Sequence, residues 1–152
     1  MTHAEQLYQL VQQKKGYLEQ LHNCSKNQIP YVETDNMEAI LEILAAKQRL
    51  LLEIESLDRQ IAQYHVDDPE DRVWPSLEMR EQCRVMISHS DHLVRETLEL
   101  DRFAEQCLLD KKNTAQQQLQ QFVDQSQVQN AYRQQKIRTA EPGYCHIDLG
   151  TK

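Results

Sequence analysis

The sequence predicts an all-α fold: an antiparallel helical hairpin or bundle of three long helices, the third very long or broken near residue 113 into a fourth. Three observations carry this. Only three Gly and four Pro occur in 152 residues, so few positions suit a turn. Aromatic residues are 6% and Val is scarce beside Leu, Gln and Glu, a mixture that favours straight-chain helix formers over strands. Apolar residues return every three or four positions over long stretches, the period of a helix with one buried face.

The first helix is expected from about His3 to Lys26, with Leu7, Leu10, Val11, Tyr17, Leu18, Leu21 and Cys24 forming its stripe. The following Asn27-Gln28-Ile29-Pro30 is expected to stop it, because a proline pushes its predecessor out of helical geometry. The second helix carries Met37, Ile40, Leu41, Leu44, Leu51, Ile54, Leu57, Ile61 and Tyr64, a seam interrupted only near Lys47-Gln48. Asp35 with Glu38 three residues later has the spacing of a capping box at its start. It is expected to end near His65, before the acidic loop Asp67-Asp68-Pro69-Glu70-Asp71.

A third helix is expected from Pro75 or Ser76, with Trp74 as a hydrophobic plug just upstream. Its stripe is Met79, Cys83, Met86, Ile87, Leu93, Val94, Leu100, Ala104, Cys107 and Leu108. The pattern then weakens through Ala115, Leu119, Phe122, Val123 and Tyr132, with no Gly or Pro before Pro142-Gly143. A continuous helix here is about 60 residues, or roughly 85–90 Å at 1.5 Å per residue. Lys111-Lys112 followed by Asn113, Thr114 and Gln117 resembles one helix ending and another beginning, so a break stays open. Residues 116–135 hold ten glutamines and few large apolar groups, so this stretch has little to bury in a core of its own. The expected organisation is one helical domain over residues 1–141 and a short mobile tail over 142–152.

A formal net charge of −7 argues against a general nucleic-acid binder and against an anionic membrane surface. No stretch approaches the ~20 apolar residues of a membrane-spanning helix. Met1 to Gln13 mixes His3, Glu5 and several Gln with its leucines and is not expected to be a signal peptide. Cys24, Cys83, Cys107 and Cys145 are widely spaced, form no CxxC and are expected to be reduced thiols of a cytoplasmic protein.

Catalytic machinery is scarce. His89 and His92 lie three apart, yet no third ligand stands beside them at helical spacing, so no metal is expected. A histidine phosphotransfer carrier is one reading of these two residues. In such domains a Lys and a small residue follow the reactive His, whereas His92 is followed by Leu93-Val94-Arg95 without a Gly. Carboxylates sit in ordinary surface patterns such as Glu55 with Arg59, and no Gly-rich phosphate loop or nucleophile elbow occurs. A non-enzymatic protein without cofactors is expected. The stripe Ala115, Leu119, Phe122, Val123 is either a further layer of core or an exposed face for a partner helix, with Tyr132 a lone aromatic beyond it.

The run Asp35-Asn36-Met37-Glu38-Ala39-Ile40-Leu41-Glu42-Ile43-Leu44-Ala45-Ala46-Lys47-Gln48-Arg49-Leu50-Leu51-Leu52-Glu53-Ile54 resembles the middle of FlgN-type flagellar export chaperones. There, too, a helix starts at a small acidic turn, passes a central Lys or Arg and continues into a Leu-rich half. The helix order and the pair Ala131-Tyr132 are similar as well, and the related FliT-type chaperones are nearly as close. The resemblance implies a cytoplasmic bacterial chaperone. Its protein cargo would be the helical termini of late flagellar hook–filament junction proteins, handed to a membrane protein of the export gate. It further implies cargo contacts at Ala115, Leu119, Phe122 and Val123 and gate docking at Tyr132. The same reading involves no nucleic acid and no membrane insertion, and it leaves room for a homo-oligomer. A generic helical adaptor or coiled-coil structural subunit is the other reading of the long apolar seams.

Overall fold

A computed structural model of the chain describes residues 1–66 and 68–140, with side chains through residue 137. It contains three α-helices, α1 (His3–Glu33), α2 (Met37–Ala62) and α3 (Leu77–Ala140), and no strand among the described residues. Short 3-10 turns over Gln63–Val66 and Pro69–Asp71 lie between α2 and α3. By internal packing the chain forms two units, Met1–Leu108 and Leu109–Lys152. The tail expected over 142–152 lies outside the described residues.

The first unit is organised by one spacing rule. On α1 the inward positions are Ala4, Leu7, Val11, Lys14, Leu18, Leu21, Ser25, Gln28 and Val32, steps of three and four throughout. Inward positions on α2 are Ile40, Ile43, Lys47, Leu50, Ile54, Leu57, Ile61 and, just beyond its end, Tyr64. On α3 they are Met79, Cys83, Met86, Ser90, Leu93, Thr97, Leu100, Ala104 and Cys107. Each set is an unbroken heptad, the repeat of helices that pack as a coiled coil. The turn at residues 34–36 makes α2 antiparallel to α1. Ile54 packs with Leu93 while Ile40 packs with Ala104, so α3 runs antiparallel to α2. Three apolar clusters are strung along the unit, centred on Leu7–Val11–Cys83, on Leu18–Leu21–Ile54–Leu93 and on Val32–Ile40–Ala104. Each large side chain buried there stabilises the fold by about 1.5–3 kcal/mol.

Trp74 packs on the first cluster, where Tyr64 also hydrogen-bonds Gln6 at 2.8 Å and Arg72 donates to the Tyr64 carbonyl. Helix α1 begins with a full capping box: Thr2 accepts from the Glu5 amide and the Glu5 carboxylate accepts from the Thr2 amide at 2.7 Å. The backbone hydrogen bond from Thr2 holds the Glu5 carboxyl below the usual range. Helix α3 starts where expected, with Ser76 Oγ accepting from the Met79 amide at 3.1 Å.

Three expectations need correction. Pro30 does not stop α1, which continues to Glu33 with the proline inside it. The missing N–H costs helix stability, but the last turn buries Val32 to 1% exposure against Ile40 and Ala104, and that burial offsets it. The cap of α2 is Asn36, which accepts from the Ala39 amide at 3.2 Å; Asp35 instead takes the left-handed turn conformation, φ 58°. Met37, Leu41, Leu44 and Leu51 of the expected seam are exposed, as are Ile87, Val94 and Leu108, because the heptad turns their neighbours inward instead. Of the two readings left open at residue 113, the continuous one is present: α3 runs through Asn113, and there is no fourth α-helix among the described residues. Asn and Thr are only a few tenths of a kcal/mol worse than alanine in a helix, too little to break one without Gly or Pro.

Polar residues occupy several core positions. Lys47, 8% exposed, forms an ion pair with Asp101, and Gln28 donates to the same carboxylate at 3.2 Å. The buried hydroxyls of Ser25, Ser90 and Thr97 have no hydrogen-bond partner among the described residues. In α1, a Cβ added at Gly16 meets nothing within 4 Å. Gly16→Ala is therefore expected to stabilise the protein by about 0.5–1 kcal/mol, read as a higher urea midpoint with an unchanged slope.

Candidate partner-binding surface

The second unit, taken by itself, is helical through residue 140 and has no buried side chain among those described. Glutamine is a good helix former, and Gln120 supports the helix by donating to Asp124 one turn on at 3.0 Å. Among the described residues, this helix has no packed partner element within its own unit. Leu119 is 64% exposed, Phe122 68% and Val123 38%, and Ala115 is exposed too.

Helical geometry decides which of these act together. At about 100° per residue, Ala115, Leu119, Phe122 and Val123 fall within roughly 100° of one another around the axis, a single stripe. Ser126 and Ile137 continue it. Ile137, 55% exposed, is absent from the expected set, although its distance of 18 residues from Leu119, five full turns, is visible in the sequence. Tyr132, also exposed, is not part of the stripe: it lies about 140° around the helix from Leu119 and shares its side with Val128. One helix thus presents two separate apolar surfaces. Charge also differs between the units. Residues 1–108 hold 11 basic and 20 acidic residues, net −9, whereas 109–152 hold six basic and four acidic, net +2.

Among the described residues, the histidines and cysteines lie in the first unit. His92 and His22 both reach Glu96, each through Nε2 at 3.0 Å, so one carboxylate ties α1 to α3; His89 is exposed. No cluster of three or more His, Cys, Asp or Glu able to hold a metal exists among the described residues. Cys24, Cys83 and Cys107 are free thiols, and burial pushes the Cys83 thiol up despite the nearby Arg72. Cys145 lies outside the described residues. No helix among the described residues is long and apolar enough to cross a membrane.

No protein-family model, no curated protein and no solved structure matches this chain.

Proposed function

We propose that the protein is a bacterial cytoplasmic export chaperone of the FlgN type. It binds helical termini of hook–filament junction proteins and delivers them to the export gate, with no catalytic step and no cofactor. The observation that carries this reading is the exposed stripe Ala115–Leu119–Phe122–Val123, on a helix that packs against nothing described in its own unit. An amphipathic helix in that condition gains its missing burial from a partner helix, and the surrounding glutamines keep it in solution while empty. The resemblance of Asp35 to Ile54 to such chaperones supplies the class of cargo. Tyr132, turned away from the stripe, can meet the gate protein while cargo is held, so handover needs no prior release.

Hydrogen exchange on the full chain tests this, with and without peptides of the C-terminal helices of junction proteins. Amides of 112–126 are expected to exchange rapidly alone and at least about tenfold more slowly with peptide. Unchanged exchange at saturating peptide, or protection elsewhere only, would sink the cargo assignment. The other reading, a structural coiled-coil subunit, is favoured by the unbroken heptads of the first unit; it requires strong protection of 112–126 before any peptide is added.

A further inference from the structure

The first unit carries a second apolar seam that its own three helices do not cover. Contacts to α1 fix the orientation of α2 and α3. The α1–α2 side is lined by Gln20 and Asn23 with Arg49 and Glu53, and the α1–α3 side by His22 and Lys26 with Glu96 and Glu99. The opposite flanks of α2 and α3 therefore line the groove between these two helices, which α1 reaches through Lys14 at Asp58, 2.6 Å, and which the segment from Pro69 to Trp74 borders beside Ile87. Along that groove lie Leu41, Leu44 and Leu51 of α2 and Ile87, Val94 and Leu98 of α3, all exposed. Each follows directly on an inward position: 40, 43 and 50 on α2, and 86, 93 and 97 on α3. Apolar residues thus fill a third position in these heptads, a stripe wider than a self-contained bundle uses.

We propose that this α2–α3 face is the interface of a twofold-symmetric dimer, packed against the same face of a second copy. Two arguments select that occupant. The six side chains, about half exposed, leave roughly 500 Å² of apolar surface per copy in water, at the upper end of the largest patch on a typical monomer. With their polar rim they approach the ~800 Å² per partner of a stable interface. The rim is also charge-balanced. Its carboxylates Glu55, Asp58 and Asp101 are paired with Arg59, Lys14 and Lys47, and Asp91 and Glu105 stand beside Arg95 and Arg102 at helical spacing. Elsewhere the unit is strongly acidic, so two copies meeting through another face bring like charges together. An isologous contact here does not. The dimer uses no residue of the stripe at 115–123 and stands or falls independently of the chaperone reading.

Sedimentation of the full chain at micromolar concentration tests this. The wild type is expected at twice the chain mass. Leu44→Glu/Leu98→Glu is expected at the chain mass, at least about 100-fold weaker in association, with unchanged helical circular dichroism since both sites are exposed. Leu52→Glu, in the groove on the α1–α2 side with Gln20 and Asn23, is expected to stay dimeric. A monomeric wild type overturns the proposal, as does a Leu44→Glu/Leu98→Glu variant that stays dimeric. Dissociation by Leu119→Glu/Phe122→Glu instead, with Leu44→Glu/Leu98→Glu dimeric, assigns the interface to the stripe and equally overturns it.

Discussion

Lys47→Ala is expected to destabilise the protein by about 2–3 kcal/mol, the largest loss from any single polar side chain. The substitution strands the Asp101 carboxylate among α1, α2 and α3 with the Gln28 amide as its remaining partner among the described residues. A fully buried orphan charge costs about 3–5 kcal/mol; the Asp101 side chain keeps 35% of its exposure, and solvent reduces the figure. Asp101→Ala is expected to be similarly harmful, because it leaves an ammonium group with a side-chain exposure of 10% and an amide without its acceptor. The pair Lys47→Met/Asp101→Leu is expected to lose less than either single change, since no buried charge remains. Urea unfolding of the wild type, Lys47→Ala, Asp101→Ala and Lys47→Ala/Asp101→Ala gives the coupling between the two sites, expected near about 2 kcal/mol; additive single effects would show that the pair holds nothing together.

Leu119→Asp/Phe122→Asp is expected to have the opposite profile. Both side chains are exposed, so stability should stay within about 0.5 kcal/mol of the wild type. Binding of a junction-protein helix should weaken at least about 100-fold, because two central anchors are replaced by charges that must be desolvated. Tyr132→Ala, on the other side of the helix, should bind cargo normally. Titration calorimetry separates the cases. Equal losses from Tyr132→Ala and the double variant would show that the two sides form one site and that cargo and gate cannot be engaged together.

The helices are legible in the sequence because their apolar spacing is long and regular, and Ser76 and Trp74 act where the pattern puts them. Less legible is which apolar residues face inward. A strand of alternating pattern escapes this ambiguity, since its apolar residues all point one way. It is inherent in Ile40-Leu41, Ile43-Leu44 and Leu50-Leu51, where adjacent apolar residues leave the register to tertiary packing. Searching for apolar groups alone also passes over Ser25, Gln28, Ser90 and Thr97, and makes Lys47 look like an interruption when it is a core position. Pro30 misleads for a related reason: local preference names a helix end near Lys26, and the burial of Val32 carries the chain about two turns further. At the candidate surface, the exposure of Leu119 and Phe122 stays open at the level of sequence, because a short stripe reads the same whether or not another element covers it. The separation of Tyr132 from that stripe needs only residue counting.

The unbroken heptads also set where the chain can change length. One residue inserted inside α1 or α2 rotates everything beyond it by about 100°, turning one side of the insertion out of the core. A whole heptad would add two turns and keep the seam only if the facing helices grew in step. Length variation among descendants of this sequence should therefore collect at residues 34–36 and 63–76, which join the helices and carry no heptad position beyond Tyr64. Within the helices of the first unit, lineages should differ by substitution, and changes of length should be rare and arrive in matched sets.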